Sequence, residues 1–313
     1  MLDGISLDQL RTFVAAADEG SFSAAARYLK RTQSAVSEAI ANLEAQLAVM
    51  LFDRSARYPQ LTAEGRVLLA DARSVIAGVD CMKARAKGIS GGLEAELTVV
   101  IDVLVPVTPF AEVAHAFQRQ FPTTPLRLYV ESLGSTVQPV LDRHASFGLV
   151  GSLSTLPPGL LAERVTDVEF VMVAAVGHPL AAHTGVIPRE ELARHVQLVL
   201  TDRSALSTGR EFGVMSPLTW RLTDLSTKHA LLLNSLGWGG MPLHAIAKDI
   251  AEGRLVELSI QDIQPGLRLP ISAVYRRDTP PGPSARWMIE QLKGCSKELQ
   301  GEIPVAVSVR PAE

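Results

Sequence analysis

Along the first ninety residues apolar positions recur every three or four residues, and from residue 93 onward they arrive as short unbroken runs separated by turn residues. The first texture predicts amphipathic helices, the second strands alternating with helices. Leu7, Leu10, Phe13, Val14 and Ala17 predict a helix over 6–18, ended by Glu19-Gly20. Phe22, Ala25, Ala26 and Leu29 mark the inward face of a short second helix, with Ser21 or Ser23 as its cap. The small side chains of Ala24-Ala25-Ala26 let two helices cross closely. Thr32 is placed to cap a third helix, whose buried stripe is Val36, Ile40, Leu43 and Leu47. A short helix, a tight turn and a longer helix form a helix-turn-helix, which lays its second helix in a DNA major groove.

The exposed face of the third helix carries the candidate chemistry. Arg31 and Thr32 precede it, and Gln33, Ser34, Ser37, Glu38 and Asn42 lie along it. Short polar and amide side chains at a helix N-terminus suit base edges and phosphates. Leu51 and Phe52 then close a small core. Arg54, Ser55 and Arg57 follow on a turn-rich segment ending at Pro59. A basic hairpin there can reach phosphates or the minor groove, although Arg54 has the alternative of pairing with a local carboxylate. Net charge is −3, so the electrostatic case for DNA is local: Arg27, Lys30, Arg31, Arg54 and Arg57 against Glu38, Glu44 and Asp53. That small excess implies modest non-specific affinity and reliance on oligomerisation.

From Thr62 to about Lys87 neither proline nor a turn cluster interrupts the chain. Leu68, Ala72, Val75, Val79, Met82 and Ala86 are spaced as a heptad seam. One long helix with one apolar stripe needs a partner, most simply a second copy. Cys81 falls off that seam. Gly88-Ile89-Ser90-Gly91-Gly92 reads as a joint.

Beyond the joint, 97–105, 126–132, 147–151, 168–176, 196–200 and 220–225 read as strands, with helices over 109–121 and 136–144. The alternation predicts a parallel α/β sheet with ligands at the carboxyl ends of its strands. Pro157-Pro158-Gly159 and Pro265-Gly266 punctuate the unit. Two lobes joined by two crossings make a cleft suited to a small molecule. Strand ends nominate Asp102, Val103, Leu104, Val105, Ser132, Gly134, Ser135, Thr136, Thr201, Asp202, Ser204, Ser226 and Thr227 as its lining. The hydroxyls have a plainer alternative as helix and turn caps. Asp102 and Asp202 without a basic cluster argue mildly against a strongly anionic ligand.

Composition excludes more than it adds. The chain has 47% apolar and 20% charged residues and two cysteines, Cys81 and Cys295. That excludes a disulfide framework and fits a cytoplasmic protein. No signal peptide or membrane-spanning run is visible. The seven histidines form no metal motif, "GWGG" lacks a dinucleotide-binding context, and no nucleophile elbow occurs. The expectation is no enzyme, no metal and no cofactor.

The motifs "GSFSAAARYL", "TQSAVSEAIANLE", "LFDR" and "LTAEG" over 7–65 resemble the winged helix-turn-helix of LysR-type transcriptional regulators. "GHPLA" (177–181) and "NSLGWGGMP" (234–242) sit where that family has similar motifs in a periplasmic-binding-protein-like effector domain. The chain departs from the family at Glu38 and Asn42, where a cation or glutamine is common. Glu38 either accepts from a cytosine amine or faces solvent and pairs with Arg31 or Arg27. The expected organisation is α/β overall: a winged helix-turn-helix over 1–65, a linker helix and hinge over 66–92, an effector domain over 93–300 and a tail over 301–313. Within the effector domain, lobe I spans 93–158 and 266–300, and lobe II spans 159–265. The resemblance implies a regulator, dimeric or tetrameric, that binds an interrupted palindrome in double-stranded DNA and is switched by a small-molecule effector. RNA polymerase is a further partner it implies. The competing reading is a small-molecule-binding α/β protein whose N-terminal helices serve assembly alone.

Overall fold

Serine and threonine side chains start the first three helices. In the computed structural model, which describes residues 4–55, 59–151, 156–207 and 212–301, α1 (Leu7–Asp18) opens with a capping box. Gln9 N–H donates to Ser6 Oγ at 3.2 Å and Ser6 N–H to Gln9 Oε1 at 2.7 Å. Ser21, not Ser23, caps α2 (Phe22–Tyr28), and Thr32 caps α3 (Gln33–Leu47). The wing is a two-stranded antiparallel ribbon of β1 (Phe52–Asp53) and β2 (Gln60–Leu61). Arg57 lies outside the described residues. The Phe52 ring meets Phe13 and Phe22 edge-on at centroid distances of 5.7 and 5.2 Å, closing the core over Val36, Ile40 and Leu43.

The long helix α4 (Ala63–Ser90) begins pressed against the wing: a Cβ at Gly65 would lie 2.2 Å from the Leu51 carbonyl oxygen. The predicted seam splits in two. Leu68 and Ala72 pack into their own chain's core beside Leu69. Val75 and Met82 are 51% and 64% exposed, and Ile89 adds a further exposed apolar side chain. Ion pairs Arg11–Asp80 and Arg73–Asp18 tie α1 to α4.

The chain divides after Ser90 into two units. In the second, β3 (Leu97–Asp102) is buried throughout and pairs in parallel with β4 (Leu126–Glu131) and β5 (Phe147–Val150). α5 (Val107–Gln120) and α6 (Gly134–Leu141) connect them. The sheet is mixed rather than parallel. β6 (Leu160–Ala175) and β11 (Arg268–Arg276) run antiparallel to each other, and β11 also runs antiparallel to β5.

β6 is one unbroken strand serving both lobes. Its first part pairs with β11, and its last part pairs with β9 (Trp238–Pro242) and β10 (Leu255–Glu257). The crossing into lobe II therefore falls near Phe170, not at Pro157-Pro158-Gly159, because Val165 and Val168 are buried in the lobe I core. The short helix α7 (Arg189–Leu192), then β7 (Gln197–Leu200), β8 (Thr219–Leu222), α8 (Leu225–Leu233) and α9 (Leu243–Ala251) complete lobe II. α10 (Pro283–Gly301) returns to lobe I, where Ser284 and Ala285 N–H both donate to the Glu94 carboxylate at 3.0 Å. Glu163 on β6 anchors the same helix through Arg286 and Lys293 and accepts from Tyr275. Burial pushes that carboxyl up, but bonds from Lys293, Tyr275 and Arg286 outweigh it and hold its pKa down to about 2.

Candidate DNA interface and ligand cleft

The N-terminal end of α3 is open to solvent. Thr32, Gln33, Ser34, Glu38 and Asn42 are exposed and Ser37 is half-buried, while Val36 and Ile40 behind them are fully buried. Ser23 Oγ donates to Gln33 Oε1 at 2.9 Å, which orients the glutamine amide at the helix start. Arg31 pairs with Asp8 at 2.7 Å rather than with Glu38, and Glu38 meets no basic side chain among the described residues. Ser55 N–H donates to Asp53 Oδ1 at 2.9 Å, tightening the turn of the wing.

Arg54 takes its alternative. It pairs at 2.6 Å with Glu44, a carboxylate on α3 that is 5% exposed, and its guanidinium sits 5.6 Å from the Phe22 ring centre. The other Glu44 oxygen accepts from Leu51 N–H at 2.8 Å and Phe52 N–H at 3.1 Å. The "LFDR" segment is thus fastened to α3 through one buried acid. Sequence reasoning gave Glu44 no role beyond its charge. Its position one residue after Leu43, on the buried stripe, was the available signal.

In the second unit a cavity of about 600 Å³ lies between the lobes. Leu104, Leu133, Val150, Ser272 and Val274 line it from lobe I, and Phe170, Met172, Leu198, Leu200 and Lys228 from lobe II. Gly240 on β9 makes room: a Cβ there would lie 2.1 Å from the Phe170 ring.

Of the residues nominated from strand ends, Leu104 lines this cavity. Five of the other twelve form a latch between the lobes beside it. Ser132 Oγ donates to Thr201 O at 2.9 Å, Gly134 N–H to Ser207 Oγ at 3.2 Å, and Ser135 N–H to Asp202 Oδ2 at 2.7 Å. A Cβ on Gly134 would meet Ser204 Oγ at 2.8 Å. Leu133, at φ 50°, turns the chain so that these amides face lobe II. Thr136 Oγ1 and Asp202 Oδ1 are buried without a hydrogen-bond partner among the described residues.

Asp102 is buried behind the latch, accepting from Leu104 N–H at 3.0 Å and Gly151 N–H at 3.4 Å. Val103 and Val105 are held in the turn after β3, where Val103 N–H donates to Glu131 O at 2.9 Å and Val105 N–H to Asp102 O at 2.9 Å. Ser226 and Thr227 are exposed in the first turn of α8, which Asp224 caps through Thr227 N–H at 2.5 Å.

Sequence reasoning missed Lys228, Phe170, Met172, Gln197 and Ser272. A signal existed for the lysine. Leu225, Lys228 and Leu232 are spaced i, i+3, i+7, so Lys228 shares the apolar face of α8.

The family models match both units: residues 7–66 match the bacterial regulatory helix-turn-helix protein, lysR family, and residues 90–295 match the LysR substrate binding domain. This chain belongs to the LysR family. The LysR-type chain is 29% identical to the HTH-type transcriptional regulator AceR of Acinetobacter baumannii, over 95% of this chain and 98% of that protein. It is also 29% identical to the HTH-type transcriptional regulator YhaJ of Escherichia coli O157:H7, over 92% of this chain and 96% of that one. Among solved structures, a mutant of Corynebacterium glutamicum OxyR shares the fold, with a TM-score of 0.56 at 23% identity over 96% of this chain and 97% of that one. These relatives are named as regulators rather than enzymes, and this chain is a LysR-type transcriptional regulator. Among the described residues no helix is long and apolar enough to cross a membrane, and no cluster suits a metal ion.

Proposed function

We propose that this regulator reads a double-stranded operator with the N-terminal end of α3 and the wing, and that a small organic effector seated between the lobes sets how it reads. The observation that carries the effector half is the cavity walled by both lobes, with β6 and β11 running between them. A ligand there touches both lobes at once. It binds better to one lobe arrangement than another and so shifts their populations. The latch of Ser132, Gly134 and Ser135 against Thr201, Asp202 and Ser207 is the contact such a shift would remake.

The DNA half rests on exposed Gln33 and Ser34 and half-buried Ser37 standing on a helix whose other face is fully packed. Base-reading side chains need such a rigid support. The bare apolar side chains of Val75, Met82 and Ile89 suit a second copy, so the assembly is at least a dimer and the operator an interrupted palindrome. Selection from random-sequence DNA with the purified full-length protein tests this. A twofold-related half-site should be enriched, and Gln33→Ala or Ser37→Ala should lose that enrichment at unchanged thermal stability. Selection of a single asymmetric site by a monomer overturns the reading.

A further inference from the structure

We propose that the effector is an apolar body bearing one carboxylate, and that the Lys228 ammonium receives that carboxylate; this rests on the interlobe cleft being the effector site. Lys228 is 3% exposed, lines the cavity, and is the single ionisable side chain among the described lining residues. Among the described residues no carboxylate or other acceptor meets it. Its stem crosses Gly239, where a Cβ would lie 3.3 Å from the lysine Cε.

The surroundings oppose an isolated charge. Burial depresses the Lys228 pKa from 10.5 to about 8, so the group is still mostly protonated at neutral pH. It also stands in the second turn of α8, close to the positive end of the helix dipole. A ligand carboxylate would offset both penalties.

The other polar features of the site ask for no anion. The Gln197 amide is already engaged: its Nε2 donates to Gly213 O at 2.7 Å, and its Oε1 accepts from Met215 N–H at 2.7 Å and Ser216 N–H at 3.0 Å. The free N–H groups that open α6 form a natural anion seat. That seat is filled from within the chain by Asp202, bound to Ser135 N–H at 2.7 Å. One cation on walls that are apolar apart from the engaged Gln197 amide and the neutral Ser272 hydroxyl therefore selects one negative charge on a hydrophobic frame. A sugar or a dianion would lose its hydration without replacement.

Calorimetric titration of the full-length protein with octanoate, octanamide and octylamine, and with 4-phenylbutyrate as a second body shape, tests the assignment. At least one of the two carboxylates should bind. Where octanoate binds, it should do so about tenfold or more tighter than octanamide, a difference of about 1.4 kcal/mol, and octylamine should not bind. Lys228→Met should remove the advantage of the carboxylate while leaving octanamide unchanged. Leu200→Trp, which fills the cavity from a half-buried position, should block whichever ligand binds. Octanamide matching octanoate in the native protein overturns the carboxylate assignment and leaves the cleft standing. An advantage for octanoate that persists in Lys228→Met does the same. Binding that survives Leu200→Trp in a folded variant overturns the cleft as the effector site. Failure of both carboxylates to bind at millimolar concentration overturns the proposal.

Discussion

Beneath the wing and in the wall of the cleft the protein buries an ionisable side chain, and it surrounds the two in opposite ways. Glu44 is 5% exposed and has a full set of partners: two backbone N–H groups and the Arg54 guanidinium. Lys228 is 3% exposed and faces apolar side chains around a cavity of about 600 Å³. A buried charge that is completely hydrogen-bonded is a fastening. One left without a partner persists only if something outside the resting chain supplies it, or if its cost is carried for function. The contrast separates a residue that builds the DNA-binding unit from one that reports on a ligand.

The largest expected effect attacks the fastened charge. Glu44→Ala removes the acceptor for Leu51 and Phe52 N–H and leaves a void beside the aromatic cluster. It should cost about 3–4 kcal/mol. All three tryptophans, Trp220, Trp238 and Trp287, lie in the second unit. The loss should therefore appear in far-ultraviolet circular dichroism and leave the tryptophan emission transition in place. A coincident shift of both would show that Glu44 supports more than its own unit.

Lys228→Met should do the reverse, raising stability of the second unit by about 1–2 kcal/mol at pH 7, read by tryptophan emission during denaturation. Its pH dependence sharpens the contrast. The native pKa is about 8 against an ordinary 10.5, so between these values the unfolded chain binds more protons than the native one. Native stability should be indifferent to this group below pH 8, rise with pH from about 8 to 10.5, and close the gap to the methionine variant over that window. A gap that stays constant through pH 10 would mean the lysine keeps its charge in the folded state with an ordinary pKa, its ammonium already paired there, whereas a gap that closes from well below pH 8 would mean the lysine is neutral in the native protein.

Much of this architecture is legible in the chain, for identifiable reasons. The caps at Ser21 and Thr32, the stripe of Val36, Ile40 and Leu43, and the bare residues of α4 are local, periodic features, and periodicity survives without tertiary knowledge. The cleft is different. Its walls come from β6, β7, β11, α8 and the turn after β3, and no local pattern links Val274 to Met172. Strand-end logic located the neighbourhood but chose the polar residues, which the fold spends on closing the lobes: Ser132, Ser135 and Asp202 bond one another's chains rather than line the cavity. The unbroken β6 was hidden as well. Proline and glycine at 157–159 look like a lobe boundary, but the sixteen residues after them form one strand that belongs to both lobes. The cation was half legible: its place on the apolar face of α8 is local, but a lone lysine there becomes conspicuous only when its surroundings hold no acid.

Arg54→Ala and Asp202→Asn probe the two regions more gently. Arg54 is about half exposed, so its pair with Glu44 is partly screened, and Glu44 keeps both backbone donors when the arginine is lost. Removing it should cost about 1 kcal/mol. Any fall in operator affinity then has to be measured below the lowered melting point, since a basic wing residue and a loosened wing both weaken binding. Salt distinguishes them: lost phosphate contact flattens the dependence of affinity on salt by about one unit of log–log slope, whereas a loosened wing leaves it unchanged. Asp202→Asn should have the smallest effect on stability, about 0.5–1 kcal/mol. The amide oxygen can still accept from Ser135 N–H, but the negative charge at the start of α6 is gone. Its consequence for ligand choice is larger than its energy suggests. With that charge removed, the start of α6 no longer repels a second anion beside the cavity, and a dicarboxylate of matching length should gain affinity relative to a monocarboxylate. If the monocarboxylate preference is untouched in Asp202→Asn, the selection for a single negative charge lies wholly with Lys228.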